Sequence, residues 1–185
     1  MLKISNEIKS IACFSEDRNM AYRYSLTRQW DSSKKKATIV MLNPSKATDL
    51  KYDISVMNVH NFFVDYEDES YGSYSILNLF AYRATDPKLL EYRDLNYEKE
   101  NEKVWDDYFK ESDIIVVAWG RDFSKVNVTL RNEILSQISK IENRLKQYQN
   151  KLFIFWDGKE KLENIKSRHP VVLKKSWTLI QYKVN

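Results

Sequence analysis

Glycine is nearly missing from this chain. The 185 residues include only Gly72, Gly120 and Gly158, too few and too scattered for a GxGxxG dinucleotide loop, a Walker phosphate loop or a glycine-lined oxyanion motif. Most nucleotide-fuelled and serine-hydrolase chemistries drop out with them. Cysteine is scarcer still. Cys13 alone excludes an internal disulfide, and with only His60 and His169 beside it there are too few ligands for a Cys/His zinc cage. A lone thiol fits a reducing cytoplasm. No apolar run approaches the roughly 18 residues of a membrane span, and the opening Met-Leu-Lys-Ile-Ser lacks a signal-peptide core. The expectation is a soluble, untargeted cytoplasmic protein with no membrane partner. Nor does one sign of charge dominate: 30 Lys and Arg against 26 Asp and Glu leave +4, which allows a polyanionic partner without demanding one.

What is present reads as one folded unit. Hydrophobic residues make up 43% of the chain, ample for a single core. No repeat, low-complexity tract or linker marks a boundary, so residues 1–185 are read as a single domain. Within it, residues 1–33 form an N-terminal extension. There, Tyr22-Arg23-Tyr24-Ser25-Leu26 alternates beside a polar turn at Ser15 to Asn19, which predicts an antiparallel β-hairpin serving as an edge. Continuous apolar runs of strand length follow at Ala37 to Leu42, Ser73 to Phe80, Ile114 to Trp119 and Leu152 to Trp156. Runs without alternation predict strands covered on both faces.

Between them lie helical patterns. Tyr52, Val56, Val59, Phe63 and Tyr66 fall on one face, as do Leu130, Ile134, Ile138, Ile141, Leu145 and Tyr148. A third helix is expected over Asn96 to Lys110. The fold class is therefore α/β, a three-layer αβα arrangement around a mostly parallel four-stranded sheet. Ser176 to Val184 is expected to add an edge strand. A monomer is favoured.

Ligands of open parallel sheets bind beyond the carboxyl ends of the strands. Four segments meet that description: Met41 to Ser45, Asn78 to Thr85, Trp119-Gly120-Arg121 and Ser167 to Pro170. Asn43-Pro44 halts its strand, because proline lacks a donor and keeps the residue before it out of the helical region. Asn43 is thus either a turn former or an amide presented to a ligand. Asn78 sits in an apolar strand, where an unpaired amide would cost roughly 1 to 3 kcal/mol, so it is either structurally satisfied or a reader of a ligand. Arg83, Thr85 and Arg168 suit a phosphate, a turn cap or a solvated surface equally. His169, in a loop beside Pro170, has no evident core role.

These motifs carry a resemblance. Met-Leu-Asn-Pro-Ser, Asn-Leu-Phe-Ala-x-Arg-Ala-Thr, Trp-Gly and a late His-Pro resemble an uncharacterised bacterial and phage family over about Arg23 to Leu173. More remotely, the Asn-Pro turn and the Asn…Arg-x-Thr segment resemble the mismatch-specific branch of the uracil-DNA glycosylase superfamily. His169-Pro170 is similar to the late His-Pro of its classical uracil branch. The resemblance implies a glycosylase-like fold and excision of a flipped base by hydrolysis of its N-glycosidic bond, without metal or cofactor. It implies that Asn43 positions water and His169 donates to the departing base. Asp53, near the Asn43 turn, either activates water or caps a helix. Tyr52 and Phe80 would flank the base, Asn78 would read its edge, and Ser45, Lys46, Arg83 and Arg168 would hold phosphates of a base-modified or damaged DNA strand.

This sequence departs from that pattern at Met41 and Ser45, where glycines are expected, and at Val171, where a serine is expected. Three functions follow as expectations: a DNA glycosylase, a binding module for nucleotide or nucleic acid that keeps the pocket without catalysis, and a hydrolase of free nucleosides or nucleotides.

Overall fold

The computed structural model describes residues 3–161 and 166–184. Met1 and Leu2, at the head of the segment read for a leader, lie outside them. The chain runs β1 (Lys9–Phe14), β2 (Arg23–Gln29), β3 (Lys35–Met41), α1 (Ile54–Asp65), β4 (Tyr71–Asn78), α2 (Leu95–Glu111), β5 (Ile114–Val117), α3 (Val128–Leu145), β6 (Leu152–Trp156) and β7 (Thr178–Gln181). Each long helix starts on a side chain that accepts a backbone N–H otherwise left without a partner. Asp53 takes the N–H of Val56, Asp94 that of Asn96 and Asn127 that of Leu130.

The sheet has seven strands in the order β1-β2-β4-β3-β5-β6-β7. The four expected apolar strands are parallel neighbours in its middle, β4-β3-β5-β6. The expected four-stranded sheet is nonetheless too small. The N-terminal hairpin takes the expected edge position, with β2 pairing antiparallel with β4 and carrying β1 outward, while β7 pairs antiparallel with β6 at the other side, so the sheet is not the four-stranded parallel one of the expected glycosylase-like fold. The sheet is therefore mixed, and the added strands occupy backbone groups that β4 and β6 would otherwise leave open.

Both faces are covered. Ile39, Tyr74, Ile76 and Val116 pack with Val56, Val59, Phe62 and Phe63 of α1, and with Leu173 and Trp177. Val40, Leu77, Ile115 and Val117 pack with Trp105 and Phe109 of α2 and with Leu130, Ile134, Ile141 and Leu145 of α3. Fully buried side chains of this kind contribute roughly 1.5 to 3 kcal/mol each. The chain leaves β3 toward α1 on one face and β5 toward α3 on the other, so a crevice opens between the carboxyl ends of β3 and β5. No helix among the described residues is long and apolar enough to cross a membrane.

Gly72, at the start of β4, is held where no side chain fits. A Cβ there would stand 1.8 Å from the Asp31 carbonyl oxygen, and the Gly72 carbonyl accepts from Trp30 N at 2.8 Å and Asp31 N at 3.0 Å, so the two segments cannot separate cheaply. Gly72→Ala is expected to destabilise the protein by about 3 kcal/mol. Gly158→Ala, in open space at φ 77°, should cost only about 1 to 2 kcal/mol. Urea unfolding midpoints check both, and equal costs would refute this account of Gly72.

Candidate functional site

Strands β3 and β4 end side by side, and the loops beyond them are cross-braced. Leu79 N donates to Met41 O at 2.9 Å, Phe80 N to Leu42 O at 3.0 Å and Ala84 N to Pro44 O at 2.9 Å. The Asn43 side-chain nitrogen donates to Ala84 O at 2.7 Å and to Pro44 O at 3.1 Å. Two carbonyl partners require a donor, which fixes the amide orientation and leaves Oδ1 as the acceptor on offer. Asn43 is thus the turn former, and it also lines one of the cavities described below.

His169 is placed from two other directions. Asn58 of α1 donates to Pro170 O at 3.0 Å and Val171 O at 3.2 Å, and the Ser167 hydroxyl takes the Gly120 N–H at 3.2 Å. The His169 Nδ1 accepts from Val171 N at 3.2 Å, so the ring proton sits on Nε2. Burial lowers the His169 pKa, opposed in part by the charge of Asp53. The ring is therefore a neutral donor at neutral pH.

Two cavities meet at this histidine. The smaller, about 680 Å³, is lined by Asn43, Ser45, Lys46, Tyr52, Asp53 and His169, among others. The larger, about 820 Å³, has aromatic walls from Trp119, Phe123 and Trp177, with Lys88, Lys125, Lys159 and Lys174 around it. Leu42, Pro87 and His169 belong to both. Among the sequence candidates, Asn43, Asp53, Tyr52, Ser45, Lys46 and His169 are thus brought together. Asp53 caps α1 through Oδ1, which accepts from Val56 N at 3.0 Å, yet still lines the cavity. Tyr52 lies over the Arg28 guanidinium at 4.7 Å.

Four candidates are not at the cavities in the way the sequence led us to expect. Asn78 is fully buried at the end of β4 and lines neither cavity, and its side-chain nitrogen and oxygen both lack hydrogen-bond partners among the described residues, so it is not the satisfied structural amide that was one of the two expectations. Phe80 is packed in the core with α2 and α3, under the Arg93 guanidinium at 4.7 Å. Arg83 donates to Ser45 O at 3.3 Å and Met20 O at 3.0 Å, which ties the two turns together beside a shallow depression shared with Ser45 and Lys46. Arg168 borders the larger cavity, but Asp157 and Glu160 each hold it at 2.9 Å and its charge is spent there.

Other residues at the site carry no signal in the sequence. Glu98 of α2 accepts from Ala81 N at 2.8 Å and Tyr82 N at 3.2 Å, holding the turn after β4. Asn101 donates to Asn78 O at 3.0 Å, and Trp105 to the same oxygen at 3.2 Å. From β2, Arg23 donates to Ala47 O at 3.0 Å and Arg28 to Thr48 O at 2.6 Å, anchoring the loop between Asn43 and Asp53.

The protein is thus an α/β protein with two neighbouring cavities, sharing Leu42, Pro87 and His169, at the carboxyl end of its central parallel strands. The family model described as "Protein of unknown function (DUF1643)" matches residues 23–171, and the chain belongs to that family. The match spans every candidate residue named above. No curated protein and no solved structure matches the chain.

Burial pushes the Glu98 carboxyl up to about 7 despite its two backbone donors. The folded state therefore holds this proton more tightly than the unfolded chain, whose carboxyl titrates near its ordinary value of 4.5. The stability this gives is complete below about pH 4.5 and lost as pH rises through about 7. Relative to Glu98→Gln, the native protein should lose stability on the order of 3 kcal/mol between those limits, read by urea unfolding across that range. A constant difference would overturn the assignment. For His169, NMR titration should give a midpoint below 6.5 with the proton on Nε2, and Asp53→Asn should lower that midpoint further. An unmoved midpoint would separate the two side chains.

Proposed function

We propose that this protein hydrolyses an N-glycosidic bond of DNA, removing a modified or damaged base and leaving an abasic site. The observation that supports this most is that Asn43, Asp53 and His169, which are far apart in the chain, all line one cavity, so that an amide, a carboxyl and an imidazole border the same space. A flipped base stacks against the aromatic walls beyond His169, and its sugar lies toward Asn43. The bond from the sugar to the base nitrogen breaks with its electron pair leaving on the base. His169 Nε2–H donates to a carbonyl oxygen of the departing anion, a contribution of about 2.7 to 4 kcal/mol at comparable oxyanion sites. Water positioned by Asn43 Oδ1 bonds to the cationic sugar carbon, and its proton passes to Asp53. Asn43 itself takes no proton, since an amide is not a base, and because the bond to the base breaks before water adds, the order of events in this proposal is dissociative.

The alternative is a binding module with the same pocket. It is favoured by Val171 in place of the expected serine, and by the engagement of Arg83 and Arg168 with the protein itself.

Incubation of the full chain with DNA carrying unmodified, deaminated or hypermodified bases, followed by detection of alkali-labile breaks, tests the reading. Abasic sites are expected on at least one substrate, with Asn43→Ala and His169→Ala each lowering the rate roughly a hundred- to thousandfold. Salt-dependent DNA binding with no product on any substrate would replace it with the binding module. Turnover of a free nucleoside without affinity for DNA would replace it with a nucleoside hydrolase.

A further inference from the structure

The smaller cavity has an unusual floor. Arg23, at the start of β2, keeps 1% of its surface exposed and Arg28 none. Of the five N–H groups of Arg23, one has a protein acceptor, Ala47 O, and Nε is buried without any. Arg28 donates to Thr48 O and leaves Nε and Nη1 buried without partners. Neither guanidinium has a carboxylate within salt-bridge reach among the described residues, and the charge of Asp53, acting on Arg23 from farther off, offsets its burial only in part. A charge removed from water without a counter-ion costs several kcal/mol, and arginine does not escape that cost by losing its proton at neutral pH.

Of these two arginines, Arg23 lines the cavity. Lys46, Lys51 and the first residues of α1, Ile54 and Ser55, line it as well. Asp53 is the acid in that wall, with Oδ1 engaged by Val56 N. The cavity therefore combines a buried guanidinium with unused donors, two exposed lysines at its mouth and the positive end of a helix of 12 residues. All of these favour an anion.

We infer that the smaller cavity is a phosphate site, in which Arg23 at the floor and Lys46 and Lys51 at the rim hold a phosphoryl group of a nucleotide or nucleic-acid ligand. Phosphate matches the planar fork of arginine better than a single-point anion does. The site stands apart from Arg83 and Arg168, which the protein's own groups engage. It is compatible with excision chemistry at His169 but does not require it: a protein inert toward every DNA base still binds phosphate here.

Calorimetric titration of inorganic phosphate into the full chain, with ionic strength held constant by sodium chloride, tests the site. Saturable binding is expected. Arg23→Lys should weaken it roughly ten- to hundredfold, the loss expected for charge-assisted hydrogen bonds. Lys46→Gln with Lys51→Gln should weaken it severalfold and flatten its salt dependence. Undetectable binding, or binding unchanged in both variants, overturns the proposal. Should Arg23→Lys fail to fold, the Arg23 Nε–H resonance of the native protein decides: a shift that saturates with phosphate supports the site, and an unmoved one overturns it. Two further arms separate the sources. A nucleoside 5′-monophosphate that binds at least tenfold tighter than phosphate assigns the site to a mononucleotide. A short single-stranded oligonucleotide without terminal phosphates that displaces phosphate assigns it to a phosphodiester.

Discussion

Where β3 and β4 stop, their last amides and carbonyls are inside the protein, and a buried backbone group without a partner costs about as much as a lost hydrogen bond. Most of the site follows from how this chain meets that requirement. Asn43 pairs the Ala84 carbonyl, Ala84 returns a bond to Pro44, Glu98 receives the Ala81 and Tyr82 amides, and Asn101 and Trp105 share the Asn78 carbonyl. The two loops that wall the smaller cavity are consequently rigid for backbone reasons, before any ligand is considered. Asn43 serves both purposes at once. Its nitrogen completes the brace, and its side chain also lines the smaller cavity.

Electrostatics divides the molecule in a related way. On the His169 side, Arg121 and Arg168 are neutralised by Glu160 and Asp157, and the cations around the aromatic cavity are lysines. On the β2 side the arrangement is reversed: guanidiniums are buried against carbonyls, and the charge of Asp53 acts on Arg23 only from beyond salt-bridge reach. The polar contacts of Arg23 and Arg28 with Ala47 and Thr48 also secure the loop that delivers Asp53 to α1. Holding the loop and charging the cavity are one structural act.

Much of the layout was legible from apolar runs. Ala37 to Leu42, Ser73 to Phe80, Ile114 to Trp119 and Leu152 to Trp156 mark the central strands, because strands covered on both faces need no alternation. The helical stripes of α1 and α3 are equally plain, and Asn-Pro and His-Pro stand out as polar interruptions at strand or loop ends. Other features were hidden for physical reasons. β2 places Arg23 and Arg28 on a buried face, whereas composition assigns them to the surface. Asn78 and Phe80 belong to one conspicuous motif, yet neither lines either of the two cavities at His169, and the motif's spelling says nothing about which face each residue occupies. Arg168 looked free because its partners, Asp157 and Glu160, stand well before it in the chain and no spacing marks them as such.

Leu42, Pro87 and His169 are a party wall between two chambers. Two molecules that both touched that imidazole, one from each chamber, would sense each other through it, and linkage would make the effect of each on the other's affinity the same.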